Sequence, residues 1–160
     1  MKRVIALLLT GVIALSTAAC SAENNKADNK PSDKKNFKIG IVQLVEHPAL
    51  DSAYKGFIDG LAKAGFENGK NITVDYQNAQ GEQANCQTIA NKLANDKPDL
   101  ILAIATPAAQ AVANVTKDIP ILVTAVTDPA SAKLVASNEK PGGNVTGTSD
   151  LTPVEEQMKL

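Results

Sequence analysis

The chain of 160 residues has no tryptophan, and aromatic residues make up only 3% of it. It carries one histidine and two cysteines. A lone histidine excludes His-rich metal clusters, and two cysteines supply neither a disulfide framework nor a four-ligand zinc site. No metal and no cofactor is expected. Neither sign of charge is in excess, since 16 basic and 17 acidic residues leave a net charge of −1. A nucleic-acid binder needs a basic face to displace counterions, so this balance speaks against a nucleic-acid partner. What is present is apolar: 44% of the residues are hydrophobic, enough at this length for one domain with its own core.

The apolar residues are unevenly spread. Met1-Lys2-Arg3 is a short cationic start, and an apolar run from Val4 to Leu15 follows, broken only by Thr10 and Gly11. Ser16-Thr17-Ala18-Ala19-Cys20 comes next. A basic start, a short apolar stretch and small residues form a secretory signal, too short to span a bilayer. The alternative, a buried helix of a cytosolic domain, fits poorly with the polar tract that follows at once. Thr17-Ala18-Ala19-Cys20 resembles the lipobox of bacterial lipoproteins, with Thr17 where a leucine is usual. That resemblance implies cleavage before Cys20 and acylation of its thiol, each buried methylene adding about 0.8 kcal/mol of membrane affinity. Loss of Lys2 and Arg3 leaves 14 basic against 17 acidic residues, a net charge near −3.

Residues 21–36 contain Asn, Lys, Asp, Glu and Ser but no large apolar side chain. Such a segment cannot offset its ordering entropy and is expected to be a disordered tether with a reach of roughly 20–25 Å. The expected organisation is a signal over 1–19, the lipidated Cys20 and tether over 20–36, and an α/β lobe over 37–150. A helix start over 151–160 closes the chain.

From Phe37 onward short apolar runs alternate with helical patterns. Strands are expected over 37–45, 72–77, 100–105, 121–126 and 145–148, and helices over 49–64, 82–95, 107–115 and 130–135. In the first helix Leu50, Ala53, Tyr54, Phe57, Ile58 and Leu61 recur at helical spacing, and Gly65 supplies a left-handed C-cap. Cys86 lies on the apolar stripe of the second helix and is expected to be a buried, inert thiol. Regular strand–helix alternation predicts an open, mostly parallel α/β sheet with helices on both faces. Thr152-Pro153-Val154-Glu155 is a capping box that announces another helix. Only five residues follow it, so the sequence is expected to be part of a longer protein.

In an open α/β sheet, ligands bind beyond the carboxyl ends of the strands, where strand order reverses. The expected strands end in Glu46-His47-Pro48, Thr106-Pro107-Ala108, Thr127-Asp128 and Ser149-Asp150, and these ten residues are the candidate ligand contacts. Proline, Asp, Ser and Thr are also ordinary turn and cap residues, so the weight rests on the four groups as a set. Backbone N–H groups after Thr106, with its hydroxyl, suit a carboxylate. Glu46, Asp128 or Asp150 suits an ammonium group. The lobe offers few aromatic residues for stacking, because Tyr54 and Phe57 fall on the core face of their helix.

Enzyme signatures are missing. The chain has no G-x-S-x-G elbow, no G-x-x-x-x-G-K-[ST] loop and no G-x-G-x-x-G fingerprint. Pro141-Gly142-Gly143-Asn144 precedes a strand, the wrong side for cradling phosphate. Glu46 and His47 are neighbours in an extended segment and point apart, so no catalytic residue is assigned.

Several segments together resemble the substrate-binding lipoproteins of bacterial ABC importers, and more closely their tryptophan/tyrosine-type branch. They are Gln43-Leu44-Val45-Glu46-His47-Pro48-Ala49-Leu50-Asp51, Tyr54-Lys55-Gly56-Phe57, Gly60-Leu61 and Gln77-Asn78-Ala79-Gln80-Gly81. Pro98-Asp99-Leu100-Ile101-Leu102-Ala103-Ile104-Ala105-Thr106-Pro107-Ala108, Ala125-Val126-Thr127-Asp128-Pro129 and Gly147-Thr148-Ser149-Asp150 complete the set. The resemblance implies the first lobe of a two-lobe, periplasmic-binding-protein-like (type I) fold, with a small solute clasped against a second lobe that lies outside this sequence. It implies an amino-acid ligand, aromatic by best match, and a permease with its ATPase as partners. It also implies a monomer, lipid-anchored on the outer face of the bacterial cytoplasmic membrane or in the periplasm. Two other readings use the same residues: an exported α/β enzyme employing His47 and a carboxylate, and a ligand-sensing lobe.

Overall fold

The computed structural model describes residues 36–152 and 157–159. The leader, Cys20, the tether up to residue 35 and residues 153–156 of the helix announced at Thr152 lie outside them. Strands and helices alternate in the order β1 (Phe37–Gln43), α1 (Pro48–Lys63), β2 (Ile72–Asn78), α2 (Gln83–Asp96), β3 (Leu100–Ile104), α3 (Thr106–Val115), β4 (Ile121–Val126) and β5 (Val145–Ser149). The strands form one sheet in the order β2-β1-β3-β4-β5, and every pairing is parallel.

Side-chain alternation along the strands makes two cores. Ile39 and Ile41 of β1, Ile72 of β2, and Leu102 and Ile104 of β3 face α1, whose Leu50, Ala53, Tyr54, Phe57, Ile58 and Leu61 cover them. Val42, Ile101, Ala103, Ile121 and Val123 point the other way, into a core shared with α2 and α3. Each fully buried Leu, Ile or Val contributes about 1.5–3 kcal/mol relative to exposure, so this three-layer sandwich stabilises the lobe from both faces. Cys86 is fully buried in the second core, and burial pushes its thiol pKa up. Both effects make it an inert hydrophobe. Helix α1 ends as expected: Gly65 takes φ 86°, its N–H bonds the Ala62 carbonyl at 3.0 Å, and the Phe66 N–H bonds the Leu61 carbonyl at 2.8 Å. These two bonds are the Schellman pair that satisfies carbonyls left open at a helix end.

The segment 130–135 departs from expectation. It forms turns instead of a helix. Asp128 accepts from the Ala130 N–H at 3.1 Å and from the Ser131 hydroxyl, and Lys133 sits at φ 59°. A side chain that captures the nearby backbone and hydroxyl donors competes with helix formation, and a left-handed residue at position 133 breaks any turn that begins.

Candidate functional site

Strand order reverses between β1 and β3. The chain leaves β1 toward α1 on one face and leaves β3 toward α3 on the other, so a crevice opens between the two exits. Glu46-His47-Pro48 stands on one side of it and Thr106-Pro107-Ala108 on the other. Thr127-Asp128 follows β4, and Ser149-Asp150 follows β5. All four groups therefore share the carboxyl edge of the sheet.

His47 is the N-cap of α1, with φ −157° and ψ 137°. Its Nδ1 accepts from the Ala49 N–H at 3.2 Å, so the ring spends one nitrogen on the helix end. Pro48 occupies the first turn, where a missing N–H leaves nothing unsatisfied. Glu46, His47 and Pro48 are all exposed.

Across the crevice, α3 starts without a side-chain cap. Its N-cap Ala105 holds φ 82° and ψ 153°, a conformation that is nearly glycine-only and costs on the order of 1–3 kcal/mol. Thr106 and Pro107 are half-buried. Ala108 is fully buried, so any part it plays with a ligand falls to its backbone amide. The uncapped N-terminus presents free N–H groups and the positive end of the helix dipole, an arrangement suited to a carboxylate.

Strain recurs along this edge. Gln80 after β2 has φ 56°, and Ala125 near the end of β4 has φ 54°. Ala125 lies within the register irregularity between Val123 and Val126 where β4 meets β5. Beyond that point the Asp150 N–H bonds the Val126 carbonyl at 3.1 Å, and the Ser149 hydroxyl bonds the Thr127 carbonyl. The Thr127 and Ser149-Asp150 groups are thus brought together. No hydrogen bond among the described residues joins them to Glu46 or His47.

The three candidate carboxylates differ in what they have left to offer. Asp128 is committed to its own loop. The Ser131 hydroxyl first, then the Asn138 amide and the backbone N–H groups of Ser131 and Ala130, hold its carboxyl at a pKa of about 2. Glu46 and Asp150 are exposed and make no ion pair among the described residues.

Gln43 and Asp51 were not among the candidates, and the structure places both at the crevice. Gln43 is the last residue of β1 and is fully buried, the one polar side chain so placed among the described residues. Its Nε2 donates to the Val45 carbonyl at 2.9 Å and to Asp51 Oδ1 at 2.6 Å. Both partners are acceptors, which fixes this atom as the NH2 and leaves Oε1 buried without a partner. Such an orphan costs about 1–3 kcal/mol. The signal was present in the sequence: Phe37, Ile39, Ile41 and Gln43 lie on one face of a strand, and a glutamine in that series is out of place.

The aromatic surface is also larger than expected. Tyr54 does lie on the core-facing stripe, yet its ring meets Tyr76 of β2 with centroids 4.7 Å apart and planes tilted by 45°. Tyr76 is 37% exposed. Burial, followed by the charge of Asp51, by Tyr54 and, more weakly, by Glu46, raises its phenol pKa. Glu46, Asp51 and the tyrosine pair therefore form an acidic, aromatic flank on the α1 side of the crevice. An apolar groove lies at the opposite edge of the sheet, where Phe37, Leu61, Phe66, Ile72 and Leu100 line about 350 Å³.

Comparison with known proteins shows what the chain is similar to. The chain is 50% identical to a tyrosine-binding protein of Clostridioides difficile (strain R20291) across 164 aligned positions, which cover 99% of this chain and 48% of that protein. The ligand-free, open structure of a substrate binding protein with adhesive properties from Clostridium difficile superposes with a TM-score of 0.75 at 58% identity. That match covers 78% of this chain and 42% of the other. A Streptococcus pneumonia ABC domain in complex with L-Trp gives a TM-score of 0.75 at 46% identity, covering 79% and 42% of the two chains. The chain spans about half the length of these relatives. The family model for ABC transporter substrate binding proteins matches residues 38–160, and the chain belongs to that family.

Proposed function

We propose that this chain is the N-terminal ligand-binding lobe of an exported, lipid-anchored protein that captures an aromatic amino acid and delivers it to an ABC permease and its ATPase. The observation that carries this reading is the chemistry divided across the switch-point crevice. Uncapped helix N–H groups and Thr106 stand on one side, and Glu46, Asp51 and the Tyr54–Tyr76 pair stand on the other. A zwitterion with an aromatic side chain asks for those three environments. The tyrosine-binding relative and the L-Trp-bound neighbour support the ligand class. The family is one of binding proteins rather than enzymes, which removes the exported-enzyme alternative. His47 supports the same conclusion, since its Nδ1 bonds a backbone amide rather than a carboxylate.

On this reading Glu46 and Asp150 take the ammonium group, while Asp128 shapes the loop after β4. Thr127 and Ser149 extend the polar wall, and His47 and Pro48 hold the start of α1. A second lobe closes over the ligand, because one wall leaves most of its surface in water. Cys20 carries the acyl anchor, and residues 20–36 tether a monomer to the outer face of the membrane.

Calorimetric titration of the intact protein, with Cys20→Ser to keep it soluble, against the twenty amino acids tests the proposal. Micromolar or tighter binding of Tyr, Trp or Phe with a negative heat-capacity change is expected. Flat titrations across all twenty would reject an amino-acid cargo.

A further inference from the structure

Gln43 makes two bonds that bracket the candidate loop. Val45 immediately precedes Glu46-His47-Pro48, and Asp51 lies in the first turn of the helix that follows. One buried amide thereby ties both flanks of the loop, through the Val45 carbonyl at 2.9 Å and Asp51 Oδ1 at 2.6 Å. Its position is fixed by the sheet, since Gln43 pairs with Asn78 of β2 on one side and Ile104 of β3 on the other. The tie therefore references the loop to the three strands beside the switch point.

A purely structural filler is a poor explanation for this residue. Leu or Met has a similar volume, would join Ile39, Ile41 and Ile104, and would leave no orphaned oxygen. Either would, however, take the donor away from the Val45 carbonyl and Asp51 Oδ1, two half-buried acceptors that Gln43 now satisfies. What the glutamine supplies and an apolar side chain of the same size cannot is the NH2 that joins those two acceptors. We propose that Gln43 is a positioning residue of the ligand site, its buried amide holding Glu46 and His47 in the geometry that receives an aromatic amino acid. The amino-acid part of this inference rests on the capture reading above. The tie itself does not.

The test separates stability from affinity in the intact protein. Gln43→Met removes the orphaned oxygen but also the donor to Val45 and Asp51. These effects offset, so Tm should shift by only a few degrees, while affinity for L-tyrosine or L-tryptophan falls at least tenfold. Hydrogen exchange at the Ala49 and Asp51 amides, which bond His47 Nδ1 and the His47 carbonyl, should accelerate. Asp51→Ala removes one of the two bonds at a half-buried position and should produce the same changes to a smaller extent, which covers the case in which Gln43→Met does not fold. Retained affinity with unchanged exchange overturns the inference, as does an affinity loss that merely tracks a lower melting temperature. If the parent protein binds neither amino acid, the capture reading fails. Exchange at the Ala49 and Asp51 amides then decides the tie by itself, with acceleration upholding it and no change overturning it.

Discussion

Gly147→Ala should detach the last strand without unfolding the lobe. A Cβ at this position would stand 2.0 Å from the Val123 carbonyl oxygen and 2.7 Å from both Val123 N and Cγ2. Ordinary contact begins near 3.4 Å, so β5 must retreat from β4 by more than an ångström. The obstacle is backbone, which cannot rotate aside as a side chain would. Strain of this kind costs about 1–3 kcal/mol. Each bond lost between the two strands adds a net ~0.5–1.5 kcal/mol. The loss is bounded, because β5 is an edge strand and only Val145 in it is buried. For a domain of this size 1–3 kcal/mol corresponds to a fall of roughly 5–15 °C in Tm. Calorimetry should show that fall, and hydrogen exchange should show lost protection of the Asp150 amide, which now bonds the Val126 carbonyl. Gly143→Ala is the control, since a Cβ there meets nothing within 4 Å. A Gly147→Ala protein that melts within a degree of the parent and keeps its Asp150 amide protected would refute the close-approach argument.

The opposite sign is expected at Gly60, which lies inside α1 with open space around its Cα. Gly60→Ala should stabilise the lobe by about 0.5–1 kcal/mol, read as a higher urea midpoint at an unchanged slope. Asp128 supplies a pH dependence. Its folded pKa of about 2 lies below the ordinary 3.8, so its contribution is complete above 3.8 and is lost as pH falls through 2. Between pH 4 and pH 2 the parent should lose more stability to denaturant than Asp128→Asn does, and identical curves would show that the loop bonds do not favour the ionised form. Ala105→Gly should relieve the φ 82° strain at the α3 N-cap, raising Tm while leaving the register of β3 with β4 unchanged in amide exchange. A lower Tm would contradict the strained assignment.

Most of the fold was legible in the sequence because its signals are local. The stripe from Leu50 to Leu61 identified α1 and its buried face, Gly65 marked its end, and the unbroken apolar run from Leu100 identified a strand covered on both sides. The crevice was legible because strand ends, once located, place their loops at one edge. Features set by side-chain capture were not legible. β1 ends at Gln43, two residues before expectation, where the Gln43 amide takes the Val45 carbonyl. The turn after β4 depends on Asp128 meeting Asn138, ten residues away, and no window of helical periodicity contains that contact. Asp51 belongs to the same class. Its spacing marks it as a first-turn acid, and only the folded β1–α1 corner brings it to Gln43.

The most direct test of the central claim is the structure of the intact protein with L-tyrosine bound. The predicted result has the ligand at the carboxyl edge, its carboxylate on the amides that open α3 and its ammonium facing Glu46 or Asp150. A ligand seated elsewhere, as in the apolar groove of Phe37, Leu61 and Phe66 at the other end of the strands, would contradict it.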